Sequence, residues 1–183
     1  GAVWADAVPQ LTGANIPFVI RLRVVLLRDL GAPLSPFNAF QIIQGLETVG
    51  LRMKQHCSNA EKVVSFLETQ KKVTNVIYPT NHQGEIKERA LKYMKGGYGS
   101  LVGMDVGTKE NGAKFIDNLK MLYHVANIGD ARSLAIHPAT TTHSQLNEKE
   151  LLAAGVTPGY VRLSIGIEHP DDIIADIKQA LAA

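Results

Sequence analysis

Residues 160–181 read YVRLSIGIEHPDDIIADIKQAL and contain a strand pattern followed by a helix pattern. Apolar and polar side chains alternate from Tyr160 to Ile165, which predicts a β-strand with one face in a hydrophobic core. Pro170 then opens a segment with two aspartates and an apolar stripe at helical spacing, and this acidic first turn favours a helix start. A strand followed by an amphipathic helix indicates an α/β architecture.

The chain before residue 160 repeats this mixture of strands and helices. Further strands are predicted at Val73–Tyr78, Ser100–Val106, Tyr123–Ala126 and Ser133–Ile136. Further helices are predicted at Glu85–Met94, around residues 113–119, and after Asn147, whose spacing to Glu150 matches a capping box. We therefore predict an α/β fold in which helices cover a small sheet, and the spacing leaves open whether its strands are parallel.

The N-terminal segment is predicted to be helical and unusually apolar. Phe18–Leu30 is apolar around most of its circumference and stops at Gly31, and such a helix normally needs cover on several sides. Ser35-Pro36 matches an N-cap followed by a proline in the first turn of a second helix. The pattern that follows predicts one long helix or two helices joined near Gly50. We expect another subunit or a missing domain to cover this arm.

The composition is that of an ordinary globular protein. The 183 residues have a net charge of +2, and their 19 lysines and arginines are scattered, which argues against nucleic acid or an acidic membrane as the main partner. Cys57 is the single cysteine, so no internal disulfide can form, and its apolar helix face predicts a core residue. Phe18–Leu30 is too short to span a bilayer and contains three arginines, and the first residues lack a secretory signal. We expect a cytoplasmic protein with a helical arm at residues 1–50 and an α/β domain at residues 51–183.

The strongest candidate for chemistry is Arg162, which the alternation places on the strand face opposite Val161 and Leu163. A guanidinium is a planar, permanently charged fork that suits a carboxylate. An arginine at this position is also compatible with a solvated outer face of the sheet. The strand pattern alone does not separate these two interpretations.

Other polar segments give weaker signals. His137–His143 contains two histidines, but two ligands on one loop are too few for zinc, so a polar loop that lines a pocket is the better interpretation. Asn127–Asp130 and Gly96–Gly99 have the composition of turns. We predict no metal site, and the sequence contains neither paired carboxylates of the glycosidase kind nor a Gly-x-Ser-x-Gly motif.

Three stretches together go beyond such general patterns. They are RDLGAPLSPFNAF at Arg28–Phe40, VANIGDARSLAIHPATTTH at Val125–His143, and VRLSIGIE at Val161–Glu168. These stretches resemble the C-terminal half of the Cys/Met-metabolism family of pyridoxal-phosphate enzymes. Asn127 favours the sulfhydrylase branch, because the lyases of the family usually have serine there. The resemblance covers nearly all of the chain.

The resemblance implies a fold-type-I architecture and a homo-oligomer built from tight dimers. It also implies a reaction of methionine and cysteine biosynthesis, in which O-acetylhomoserine and sulfide or a thiol give homocysteine or a thioether, and acetate leaves. Pyridoxal phosphate is the expected cofactor and electron sink. By the same resemblance, Arg162 grips the α-carboxylate of the amino-acid substrate, Asn127 makes a neighbouring polar contact to it, and Thr142 lies near the cofactor side of the pocket.

One part of the family pattern is missing from this sequence. The family's Schiff-base lysine lies in a Ser-x-Thr-Lys segment of the preceding half, and the neighbours of Lys95 do not fit that pattern. That lysine is also the general base, so we expect no catalytic residue, no bound pyridoxal phosphate and no activity in these 183 residues alone. Two alternatives stay open. One is the same domain of a cystathionine γ-synthase or methionine γ-lyase, and the other is a non-catalytic, self-associating module.

Overall fold

The structure is a computed structural model that describes residues 16–183. The chain divides into two compact units, Gly1–Glu47 and Thr48–Ala183. Residues 1–15 of the predicted arm lie outside the described residues, and the division at residue 50 stays a prediction. Within residues 16–183, no helix combines the length and the apolar character needed to cross a membrane.

A helical stretch opens the described part of the first unit. Helix α1 (Pro17–Arg21) runs directly into a π-helix (Leu22–Asp29), in which backbone N–H groups bond five residues back. The helix predicted over Phe18–Leu30 is therefore confirmed, although most of it has the wider turns. No glycine or proline interrupts the π-helix to account for this difference. Gly31 has a φ of +64° and ends the helical stretch, as its position predicted.

The second helix of this unit, α2 (Pro36–Glu47), begins as the sequence predicted. The Ser35 hydroxyl accepts a hydrogen bond from the Asn38 N–H at 3.2 Å, which satisfies one unpaired donor of the first turn. Large apolar side chains are exposed on both helical stretches of the unit, and Phe18 reaches 77% exposure. The apolar surface expected for the arm is thus present in the described residues.

The second unit alternates helices and strands, and every predicted element of this part is present within a few residues of its expected bounds. A break at Thr48 separates α3 from the preceding helix, so the chain forms two helices here. The helices are α3 (Val49–Leu67), α4 (Gly84–Tyr93), α5 (Lys109–Asn118), α6 (Glu148–Ala153) and α7 (Pro170–Ala182). The strands are β1 (Asn75–Ile77), β2 (Leu101–Asp105), β3 (Tyr123–His124), β4 (Leu134–Ile136) and β5 (Tyr160–Ser164).

The five strands form one sheet in the order β1-β2-β5-β4-β3. β5 is antiparallel to both of its neighbours, and β2 is antiparallel to β1. The β3–β4 pair is parallel. The sheet is therefore mixed, which answers the question of strand direction that the sequence left open. Arg162 lies in the central strand opposite Gly103 of β2 and Ile136 of β4. Residues that are paired across neighbouring strands face the same side of a sheet. The side chains of Arg162 and Ile136 therefore project from the same side, and Gly103 lies between strands β1 and β5 on that side without a side chain.

The other side of the sheet is buried under α3, α5 and α7. Val161, Leu163 and Ile165 are completely buried there, which confirms the core face predicted from their alternation. Each of these side chains contributes about 1.5–3 kcal/mol by leaving water, so the register of β5 is strongly fixed. A shift by one residue would move Arg162 into the apolar core. The core therefore determines the side from which the guanidinium projects.

Candidate carboxylate-binding site

Arg162 is half-buried in the middle of the central strand, on the sheet face away from the helical core. Its Nη2 donates to the main-chain oxygen of Asn127 at 3.4 Å. Among residues 16–183, no aspartate or glutamate forms an ion pair with it. A guanidinium has five N–H donors, so one long hydrogen bond leaves most of its donor capacity for an anion.

The loop between β3 and β4 brings Asn127 beside Arg162. The Asn127 side chain is exposed, and its Oδ1 accepts a hydrogen bond from the Ile128 N–H at 2.9 Å, so its amide nitrogen can donate elsewhere. Gly129 has a φ of +75°, and its N–H donates to the Ser164 Oγ at 3.2 Å. The structure thus brings the two residues predicted for carboxylate binding into contact, and their role in binding stays a prediction.

A cavity of about 510 Å³ opens beside Arg162, between α4 and the same face of the sheet. Its lining combines apolar side chains with two cations, as shown by Ile77, Ile86, Leu101, Tyr160, Arg89 and Arg162. Arg89 already pairs with Glu85 on its own helix. Of these two arginines, Arg162 is therefore the one that has no acidic partner within the described part of the chain. The cavity suits the apolar part of a small molecule whose anionic end reaches Arg162.

Tyr160 precedes Arg162 by two residues and shares its side of the strand. Burial raises the pKa of the Tyr160 phenol, and this effect outweighs the opposing influence of the Arg162 cation. The phenol is therefore neutral at neutral pH and can donate or accept a hydrogen bond in the cavity. Gly103 makes room for the ring, since a Cβ there would lie 2.7 Å from Tyr160 Cε2.

His137 is a buried core residue. Its Nε2 lies 2.7 Å from the main-chain oxygen of Pro158, and its Nδ1 lies 2.9 Å from the Thr140 Oγ1. Burial lowers the pKa of this imidazole, and a carbonyl oxygen can only accept, so the neutral ring has its proton on Nε2. No group of three His, Cys, Asp or Glu side chains within residues 16–183 is arranged to hold a metal ion.

Thr142 lies in the turn that follows this histidine. It is exposed, and its Oγ1 lies 2.8 Å from Nδ1 of His143. In the part of the chain that the structure describes, no hydrogen bond joins Thr142 to Arg162 or Asn127, and Thr142 does not line the cavity beside Arg162. The structure therefore brings together two of the three predicted site residues and leaves the third apart from them.

A family model described as Cys/Met metabolism PLP-dependent enzyme matches residues 8–182 of the chain. The chain therefore belongs to this family of pyridoxal-phosphate-dependent enzymes. The match extends over both the helical segment and the α/β unit that contains Arg162. It confirms the family resemblance of the three quoted stretches.

Several relatives give this assignment more detail. The chain is similar to O-acetyl-L-homoserine sulfhydrylase from Leptospira meyeri, with 51% identity over 171 residues, or 92% of this chain and 39% of the relative. It is 42% identical over 177 residues to the homocysteine/cysteine synthase of Saccharomyces cerevisiae, covering 91% of this chain and 40% of the relative. The chain thus spans about two fifths of the length of these relatives.

A solved structure has the same fold. It is a crystal structure assigned as an O-acetylhomoserine (thiol)-lyase from Campylobacter jejuni that contains N'-pyridoxyl-lysine-5'-monophosphate. The TM-score is 0.85 and the sequence identity 43%, over 94% of this chain and 42% of that chain. This similarity confirms the predicted α/β architecture of a fold-type-I enzyme.

The described residues around Arg162 do not by themselves fit pyridoxal phosphate. None of the side chains that line the cavity is a lysine. Lys95, the lysine at the turn after α4, donates to the main-chain oxygen of Leu91 at 2.9 Å. This surface therefore offers a guanidinium but no amine for the cofactor, and these residues support no chemical step through it.

Sequence reasoning did not identify two residues that shape the site. Ser164 lies two residues beyond Arg162 and shares its strand face. The alternation of side chains along the strand could therefore have identified Ser164 from the sequence. Glu168 lies beyond the strand and bonds to Ser133, 35 residues earlier in the chain. No spacing rule predicts such a contact, because it depends on how the loop before β4 folds back.

Proposed function

We propose that this chain provides the substrate-carboxylate site of a pyridoxal-phosphate-dependent sulfhydrylase. In the proposed reaction of the whole protein, the bond from carbon to the acetate oxygen of O-acetylhomoserine breaks, and a bond from that carbon to sulfur forms. With sulfide as the donor, the products are homocysteine and acetate. The supporting observation is Arg162, which has no acidic partner within residues 16–183 and lies between the Asn127 loop and an apolar cavity.

Each site residue has a defined part in this proposal. Arg162 holds the α-carboxylate by charge-assisted hydrogen bonds, and Asn127 adds a neutral donor from its amide. Thr142 is proposed to lie near the cofactor, an assignment that rests on the family resemblance. Pyridoxal phosphate, when bound, supplies the electron sink, while these residues orient the amino acid. A cytoplasmic location, as the single cysteine predicts, is part of the proposal.

The related synthase and lyase reactions remain alternatives for the whole protein. A carboxylate site serves any α-amino acid, so its geometry does not select among cystathionine γ-synthase, methionine γ-lyase and sulfhydrylase. The names of similar proteins, among them O-acetyl-L-homoserine sulfhydrylase and homocysteine/cysteine synthase, favour the sulfhydrylase.

The test is a set of substitutions in the full-length protein. Arg162→Ala should lower kcat/KM for O-acetylhomoserine by roughly 10- to 150-fold, because losing a charge-assisted hydrogen bond costs about 1.5–3 kcal/mol. Arg162→Lys should recover part of the loss, since it keeps the charge but not the fork. Initial-rate kinetics measure both effects.

Lys178→Ala is the matched control. Lys178 is an exposed cation on α7, which covers the opposite face of the sheet, so its removal should leave kcat/KM unchanged. An Arg162→Ala enzyme with the kcat/KM of the wild type would contradict the proposed role. Equal losses in Arg162→Ala and Lys178→Ala would point to a general charge effect and would contradict it as well.

A second candidate function, self-association, is favoured by the exposed apolar surface of the first unit. Phe18, Leu30 and Phe37 are 77%, 71% and 67% exposed. A soluble chain seldom leaves such a surface uncovered, and we propose a second copy of this chain as its partner. Sedimentation velocity of the 183 residues should show concentration-dependent association that Phe18→Ser weakens. Leu152→Ser, at an exposed position on α6, is the control that should not change it. A monomer at high concentration would count against this candidate.

A further inference from the structure

Every second residue of the loop from Asn127 to Ser133 forms a hydrogen bond with β5 or with the residues that follow β5. Four hydrogen bonds make this connection: Arg162 Nη2 to Asn127 O at 3.4 Å, Gly129 N to Ser164 Oγ at 3.2 Å, Ile167 N to Ala131 O at 2.8 Å, and Gly166 N to Ser133 Oγ at 2.9 Å. The position of Asn127 beside Arg162 is therefore set by the whole row of contacts. The contact at Arg162 is the longest of them.

A carboxylate closes the far end of this row. The Ser133 N–H donates to the Glu168 Oε1 at 2.6 Å, and the Ser133 hydroxyl donates to the Glu168 Oε2 at 2.9 Å. Ser133 is completely buried, so neither donor has water as a substitute partner. Hydrogen bonds to a charged acceptor are about twice as strong as neutral ones. Glu168 thus supplies the strongest attachment of the loop.

The surroundings hold Glu168 in this position. A Cβ at Gly166 would collide with the Glu168 Oε2 and with the main-chain oxygen of Ala131, so the glycine leaves the space that the carboxylate occupies. From α3, the buried Asn59 Nδ2 donates to the main-chain oxygens of Gly166 at 3.0 Å and Glu168 at 2.7 Å. The backbone of Glu168 is therefore held by α3, while its side chain is held against the loop.

We propose that Glu168 is a positioning residue for the carboxylate site, acting through Ser133 on the loop that contains Asn127. This inference rests on the proposed function, because it assigns Glu168 a part in binding the substrate carboxylate. Without the carboxylate of Glu168, the N–H and hydroxyl of Ser133 lose their partners inside the protein. The loop then shifts, and Asn127 moves away from Arg162. Glu168 itself need not touch the substrate.

The test measures the preference of the full-length enzyme for a carboxylate. Two unreactive competitors, L-norleucine and its decarboxylated analogue pentylamine, are compared as inhibitors against O-acetylhomoserine. The inhibition constant of pentylamine divided by that of L-norleucine is a ratio that reports the carboxylate contact alone. A high ratio means a strong preference for the carboxylate. Glu168→Gln retains one acceptor oxygen and should reduce this ratio about tenfold, with pentylamine binding nearly unchanged. Glu168→Ala should reduce the ratio further.

Ser133→Ala provides a second route to the same result. It removes the hydroxyl but retains the N–H bond to Glu168, and it should lower the ratio even if Glu168→Ala fails to fold. Glu110→Gln, the same chemical change at an exposed residue of α5, is the matched control and should leave the ratio at its wild-type value.

The outcomes separate this inference from the proposed function. A loss of carboxylate preference in Arg162→Ala, Glu168→Gln and Ser133→Ala supports the inference. A loss in Arg162→Ala with no change in the other two overturns the inference and leaves the proposed function standing. No loss in Arg162→Ala overturns both. Equal weakening of both inhibitors in Glu168→Gln shows a purely structural role and also overturns the inference.

Discussion

At the scale of single residues, the space beside Arg162 depends on a glycine at the paired position of the neighbouring strand β2. Gly103 is the partner of Arg162 on β2, and a Cβ there would lie 2.7 Å from Tyr160 Cε2 and 3.1 Å from Ile77 Cβ. Both neighbours line the cavity. A glycine at this point therefore lets the Tyr160 ring lie across the strand and form a wall next to the guanidinium.

Gly103→Ala should accordingly destabilise the chain. The added methyl group has to displace the Tyr160 ring or the strand, and such overpacking costs about 1–3 kcal/mol. Gly50→Ala is the matched control: nothing lies within 4 Å of a Cβ at Gly50, which lies in α3, so alanine there should stabilise by up to about 1 kcal/mol. Urea denaturation of both variants measures the difference. Equal stability of the two would contradict the close approach at Gly103.

At the scale of elements, one carboxylate joins the last helix to the connection between α5 and β3. Asp176 of α7 accepts hydrogen bonds from the backbone N–H groups of Lys120, Met121 and Leu122 at 2.9, 2.9 and 3.0 Å. Burial acts to raise the pKa of Asp176, but the backbone donors and Gln179 outweigh it, so the pKa is lowered overall. The charged form is therefore the one that the fold stabilises.

The stabilising effect of Asp176 should depend on pH. Because its pKa is lower in the folded chain, the contribution is complete above the unfolded value of about 3.9 and is lost as the pH falls through the folded value. Asp176→Asn should cost about 1.5–3 kcal/mol near neutral pH, and the two proteins should converge in acid. The exposed Asp172→Asn on the same helix is the control, with a much smaller effect expected. Denaturation curves at several pH values measure this, and a difference that persists unchanged in acid would refute it.

The elements also show what the sequence could and could not predict. The alternation of β5 identified its buried face and the opposite position of Arg162, because a period of two depends on local chain geometry. The capping box at Asn147 and Glu150 is present for the same local reason. The π-helix at Leu22–Asp29 had no local signal, and the strand order and the mixed sheet depend on contacts between distant segments. The contact of Glu168 with Ser133 also depends on distant segments of the chain, so the sequence could not predict it.

At the scale of the whole molecule, the chain spans about two fifths of the length of the similar sulfhydrylases and synthases. The α/β unit supplies a cation, a donor loop and an apolar cavity, and the lining of that cavity includes no lysine. The prediction that these 183 residues are inactive by themselves stays a prediction. The roles of Arg162 and Asn127 were reached from the family resemblance, since the strand pattern left the solvated-arginine interpretation open.

The most direct measurement is a crystal structure of the full-length protein with its amino-acid substrate or L-norleucine bound. Both oxygens of the α-carboxylate are expected to lie about 2.7–2.9 Å from nitrogens of the Arg162 guanidinium, with the Asn127 amide beside them. A well-ordered amino acid whose carboxylate binds elsewhere, with Arg162 turned into solvent, would contradict the proposed role of Arg162.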